Sequence, residues 1–104
     1  SFAPVATLTT FRTLEEAAER ANNSIFGLQA GVFTRDLNTA LYFARELDVG
    51  GVWVNDSSRY RQDNYPFGGM KMSGLGREGV KYAIEEMTEL KFLGVKIGPS
   101  SGIL

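Results

Sequence analysis

Three features predict an α/β fold with a parallel or mixed sheet: short β-branched and aromatic runs, segments of helical period between them, and capping residues at the handovers. The first run, Val5 to Phe11, ends where Thr13, Leu14, Glu15 and Glu16 form a capping box, so a strand gives way to a helix. Leu14, Ala17, Ala18 and Ala21 fall on one face of that helix, and Asn22, Asn23 and Ser24 end it. Leu28 to Thr34 reads as a second strand. Asp36 then stands where its carboxylate can accept the free N–H groups of a second helix. Leu37, Ala40, Leu41, Ala44 and Leu47 recur at helical spacing until Gly50 and Gly51. Val52, Trp53 and Val54 form a short strand, with Trp53 and the apolar helix faces expected in the core. From Asn55 to Gly76 the periodicity vanishes, and proline, glycine and aromatic residues make a long irregular loop of the kind that usually carries function. A third helix through Val80, Ala83, Ile84 and Met87 and a terminal strand from Leu90 to Ile97 complete the order. The residues from Gly98 onward read as a loose end.

With 104 residues, 43% hydrophobic and 22% charged, the chain has the make-up of a globular protein of one domain or part of one. Neither cysteine nor histidine is present. A disulfide framework and a thiol nucleophile are excluded, and the commonest general base and metal ligand is missing, so no catalytic residue and no metal site are expected within it. The net charge is -1 with basic residues scattered among acidic ones, which builds no face for nucleic acid. No apolar run approaches the ~20 residues that span a bilayer, and the start has no signal-peptide pattern, so a cytoplasmic protein without membrane contact is expected. The chain starts with Ser1 rather than methionine and runs directly into strand-like sequence, which reads as a piece of a longer protein.

Several blocks carry a resemblance. Phe2-Ala-Pro-Val5 comes first, then Ala21-Asn22, Gly27-Leu28 and Val32-Phe-Thr-Arg-Asp36. Gly51-Val-Trp-Val-Asn55 follows, then Pro66-Phe-Gly-Gly69, Lys71, Ser73-Gly-Leu-Gly-Arg-Glu-Gly79 and Glu86-Met-Thr-Glu-Leu-Lys91. In this order and spacing they resemble the C-terminal portion of the aldehyde dehydrogenase superfamily, and the match runs over nearly the whole chain. The resemblance implies part of that family's catalytic α/β domain over 1–87 and a terminal oligomerisation strand and tail over 88–104. It implies a parent enzyme that oxidises an aldehyde to a carboxylic acid with NAD or NADP, through a cysteine thiolate and a glutamate base that lie upstream in the family. This segment alone would be inactive.

Carried over residue by residue, the resemblance places Phe2 beside the nicotinamide ring and Phe67 in the wall of the substrate tunnel. Asn55 and the loop through Tyr65, with Arg59 and Arg61, correspond to the tunnel mouth. Arg77 and Glu89 match an ion network near the subunit interface, and Leu90 to Ile97 match a strand that joins a neighbouring subunit's sheet, so a homo-oligomer is implied. The loop is also similar to that of members acting on lactaldehyde or glyceraldehyde 3-phosphate, small polar aldehydes.

Each reading has a plainer competitor. Arg59 and Arg61 could clamp an anionic aldehyde with their forked donors, or simply pair with Asp56 or Asp63 in a solvated loop. Gly74-Leu-Gly-Arg-Glu-Gly79 satisfies a dinucleotide fingerprint, but loop-like residues precede it where a strand is needed, so a helix-entry turn is the plainer account. Two further alternatives follow, a stand-alone strand-pairing interaction module and a small nucleotide-binding module.

Overall fold

The computed structural model describes residues 3–98. The first helix, α1, spans Leu14–Asn22 and starts where expected, because the Thr13 side chain accepts a hydrogen bond from Glu16 N at 3.2 Å. The Glu16 carboxylate reaches back past the cap, accepting from Arg12 N at 2.8 Å, and pairs with Arg20 one turn on at 2.7 Å. Strand β1 (Phe26–Gly27) is followed by β2 (Gln29–Val32), and α2 (Leu37–Glu46) leads to β3 (Gly51–Val54). Strand β4 is Met70–Lys71, and α3 covers Val80–Glu86.

Strands β2 and β3 pair in parallel with α2 crossing between them, the βαβ unit that alternating strand and helix patterns imply. Side chains of a strand alternate between faces, so Ala30, Val32 and Val52 share the face toward the helices. There they pack with Ala18 of α1 and with Phe43 and Leu47 of and after α2. Burying a phenylalanine or leucine side chain stabilises by about 1.5–3 kcal/mol, so these two hold the unit together. Strands β1 and β4 form a separate antiparallel pair that ties the loop after β3 back to the end of α1.

Asn22 is the joint between these parts. Its amide donates to Glu46 O at 2.6 Å and accepts from Asp48 N at 2.9 Å, while its own carbonyl accepts from Lys71 Nζ at 2.9 Å. The ends of α1 and α2 and strand β4 therefore meet at one side chain and its carbonyl.

The Asp36 cap has a pH signature. Its carboxylate accepts from the Thr39 hydroxyl and from Thr39 N, each at 2.7 Å, and these bonds hold its pKa below the ordinary 3.8. A depressed carboxylate stabilises the fold above its unfolded pKa and loses that contribution as pH falls through the folded one. Asp36→Asn keeps an acceptor but does not titrate. In acid titrations of thermal stability the unmodified chain is expected to lose more than this variant below about pH 3.8. Parallel curves would overturn the assignment.

Two expected strands carry no ladder. Residues 5–11 and 90–97 join no sheet among the described residues, although the Thr9 hydroxyl accepts from Arg20 of α1 at 2.8 Å, and Leu8, Leu90, Phe92 and Ile97 are each more than nine-tenths exposed. A strand exists through its partner's hydrogen bonds, so the alternating pattern alone does not make one here. Helix α3 forms as expected, but its Val80 and Ile84 and the following Met87 are exposed too. The radius of gyration is 21.8 Å, where a self-contained domain of about 100 residues has ~13 Å. No helix among the described residues is long and apolar enough to cross a membrane.

Candidate functional site

The face of the β2–β3 pair opposite the helices begins the site. Trp53 pairs with Gly31 and, one residue out of step with Val52, projects away from the core. Turns at Ser57–Tyr60 and Gln62–Tyr65 fold the following loop back over it. Tyr60 meets the Trp53 ring edge-on at 4.8 Å and Tyr65 meets it tilted at 5.7 Å. Such contacts are worth about 0.5–1.5 kcal/mol each beyond the area they bury, enough to give an aperiodic loop a defined shape.

Phe67 closes the other side. Its N–H donates to Glu78 O at 3.1 Å, and its carbonyl accepts from Glu78 N at 2.6 Å, an antiparallel bridge that fixes the two residues side by side. The Arg61 guanidinium lies 4.4 Å from the centroid of the Phe67 ring, and its Nη2 donates to the Glu78 carboxylate. Together with Trp53, Tyr60, Tyr65 and Gln29, Arg61 and Phe67 line a cleft of about 300 Å³. A cation over aromatic walls in a cleft of this size suits a small ligand. A larger groove of about 670 Å³ runs between Asp63–Asn64 and α3. It is lined chiefly by α3 and has a single ring, Tyr82, with Lys81 Nζ 5.8 Å from its centroid, so the smaller cleft with four rings and a closer cation is the better candidate.

Among the residues singled out in the sequence, Phe67 and Arg61 come together. Asn55 does not join them. It sits at φ 60°, accepts from Thr34 N through its side chain at 2.9 Å, and donates its own N–H to Val32 O at 2.8 Å, which turns the chain at the end of β3. Arg59 is exposed and makes no ion pair among the described residues. Arg77 and Glu89 stay apart: the Arg77 guanidinium donates to the carbonyls of Gly69 and Gly76 at 2.9 and 2.7 Å, and Glu89 is exposed. Phe2 lies outside the described residues.

Sequence reading missed two participants. Trp53, expected in the core, is half-buried and forms the cleft's wall. Strict alternation with Val52 was the signal that could have shown it. Glu78, rather than Asp56 or Asp63, is the partner of Arg61, and no local pattern announces that.

The glycine fingerprint has a conformational explanation. Gly74, Gly76 and Gly79 have φ of 124°, 75° and 121°, values that disfavour side chains, and Gly79 leads directly into α3. A side chain at Gly76 would meet the Glu86 carboxylate at 2.6 Å, so a negative charge already stands where a pyrophosphate would approach. The segment is a helix-entry turn and does not fit a dinucleotide.

A βαβ unit whose succeeding loop folds into an aromatic, arginine-bearing cleft is the class of structure these residues define. The aldehyde dehydrogenase family model matches residues 1–93, and the chain belongs to that family. It is similar to a lactaldehyde dehydrogenase from Methanococcus aeolicus, 58% identical over 90 residues, covering 86% of this chain and 19% of that protein. It is also similar to a 3-sulfolactaldehyde dehydrogenase from Priestia aryabhattai, 50% identical over 92 residues, covering 88% and 19%. The NAD+ complex of an aldehyde dehydrogenase from Bacillus cereus superposes with a TM-score of 0.85 at 44% identity, covering 93% of this chain and 20% of that one. The glyceraldehyde-3-phosphate dehydrogenase from Methanocaldococcus jannaschii, solved with NADP, superposes with a TM-score of 0.71 at 58% identity, covering 74% and 17%. The chain spans about a fifth of the length of the curated relatives it matches.

Proposed function

We propose that this chain is the part of an NAD(P)-dependent aldehyde dehydrogenase that walls the substrate tunnel and joins a neighbouring subunit. The observation that carries the reading is the Trp53–Tyr60–Tyr65–Phe67 cleft with Arg61 seated on its ring. When bound, the dinucleotide supplies the hydride acceptor for oxidation of an aldehyde to its acid. Phe67 and the neighbouring rings exclude water from the aldehyde's carbon end, and Arg61 offers donors to an anionic substituent. Phe2 is the residue proposed to lie beside the nicotinamide, on the ground of the family resemblance. A dinucleotide-supplying compartment is required, and we assign the enzyme to the cytoplasm.

Reduction of NAD+ and NADP+ by the purified full-length enzyme, followed with a panel of small aldehydes, tests the activity. No turnover with any aldehyde sinks it. The substrate charge is a separate expected result. A guanidinium already occupies the Phe67 face, so a cationic aldehyde is expected to have a kcat/KM roughly ten-fold or more below an anionic one of similar size. A cation preferred over an anion counts against Arg61 as a binding group.

The 88–104 segment is proposed as the oligomerisation element, with 1–87 belonging to the catalytic domain. Helix α3 ends at Glu86, the Thr88 hydroxyl donates to Ile84 O at 2.7 Å, and beyond it the exposed Leu90, Phe92, Val95 and Ile97 run without cover. Such residues suit strand addition to a neighbour's sheet in a homo-oligomer. Light scattering should show the full-length enzyme as an oligomer that dissociates when 88–104 is removed.

A further inference from the structure

We infer that Glu78 is a positioning residue that fixes Arg61 over Phe67 and so sets the enzyme's preference for anionic aldehydes. This rests on the reading of the cleft as a substrate site. Arginine is long and rich in rotamers, and an exposed loop does not by itself hold its head in one place. Here two contacts define it: the Phe67 ring beneath and the Glu78 carboxylate on Nη2. Those contacts act as one unit, because Phe67 and Glu78 are locked together by both backbone bonds of their bridge. Asp56 and Asp63, closer in sequence, make no ion pair with Arg61. The carboxylate engages Nη2 alone, which leaves the rest of the donor fork for a ligand in the cleft. The pair is surface-exposed, with side chains 44% and 62% accessible, so its value lies in ordering Arg61 rather than in stabilising the fold.

The test uses the full-length enzyme carrying this segment, with glyceraldehyde 3-phosphate and uncharged glyceraldehyde as matched probes. Glu78→Ala should raise KM for the phosphorylated aldehyde about five- to ten-fold, the loss expected when one side chain must be ordered on binding. Values for the uncharged aldehyde should move by less than about two-fold. Glu78→Gln, whose amide oxygen still accepts from Nη2, should restore the low KM. In an Arg61→Ala background, Glu78→Ala should add nothing. An equal rise for both aldehydes, a fall in KM for the anion, or an effect that persists without Arg61 would overturn the inference. If the unmodified enzyme oxidises neither aldehyde, this inference fails, and the enzyme reading fails with it only if no other small aldehyde is turned over. If it oxidises both but Glu78→Ala is silent, only the inference fails.

Discussion

Alanine in place of Gly50 is expected to destabilise the chain by about 3 kcal/mol or more, the upper end of what overpacking costs. A methyl group there would stand 1.7 Å from Gly68 O, 2.6 Å from Gly68 C and 3.0 Å from Gly69 Cα, all backbone atoms with no rotamer to yield. Moving Gly50 instead would strain its N–H, which donates to Gly27 O at 3.1 Å and Leu28 O at 3.0 Å. The damage should reach the cleft, because Gly68 follows Phe67 directly. Urea denaturation measures it, with Gly98→Ala as the control, since nothing lies within 4 Å of that position. An unchanged midpoint for Gly50→Ala would show that the approach of Gly68 to Gly50 is not a native contact.

The second large effect concerns binding. Arg61→Ala should raise KM for anionic aldehydes roughly 10- to 100-fold, since hydrogen bonds to charged groups contribute about 1.5–3 kcal/mol. Uncharged aldehydes should be affected far less. Arg61→Lys should recover little, because an ammonium lacks the planar fork that lies over Phe67 while bonding Glu78 at its edge. Steady-state kinetics on charged and uncharged substrates separates the outcomes. A proportional loss on both would assign Arg61 to the shape of the loop instead of to recognition.

Local chemistry made much of the scaffold readable. Thr13 and Asp36 cap the two helices their sequences announce, but of the five apolar positions expected in the core along α2 only Ala40 and Leu47 are buried, while Leu37, Leu41 and Ala44 are exposed. Phe43, not among the positions picked out in the sequence, stands three residues after Ala40 and four before Leu47, so the buried stripe of α2 is rotated from the expected one. The pairing of Phe26–Gly27 with Met70–Lys71 was not legible, because two residues carry no period and their partners stand far apart in the chain. The segments at 5–11 and 90–97 show the opposite case, a β pattern plain in the residues that forms no ladder among the described residues.

In the candidate site the same division appears. An irregular, aromatic, glycine-rich loop after β3 marked where a site would lie, and Phe67 and Arg61 were visible within it. The ordered motifs identified the family, and the composition showed that the sequence holds neither cysteine nor histidine. Those conclusions depend on which residues are present and in what order, so the sequence alone determined them. Only the tertiary structure decided that Trp53 turns from core to cleft and that Arg61 takes Glu78 instead of a nearer aspartate. Both depend on how distant backbones are bonded, the parallel register of β2 with β3 and the bridge from Phe67 to Glu78, and such non-local hydrogen bonds leave no periodic trace in a chain.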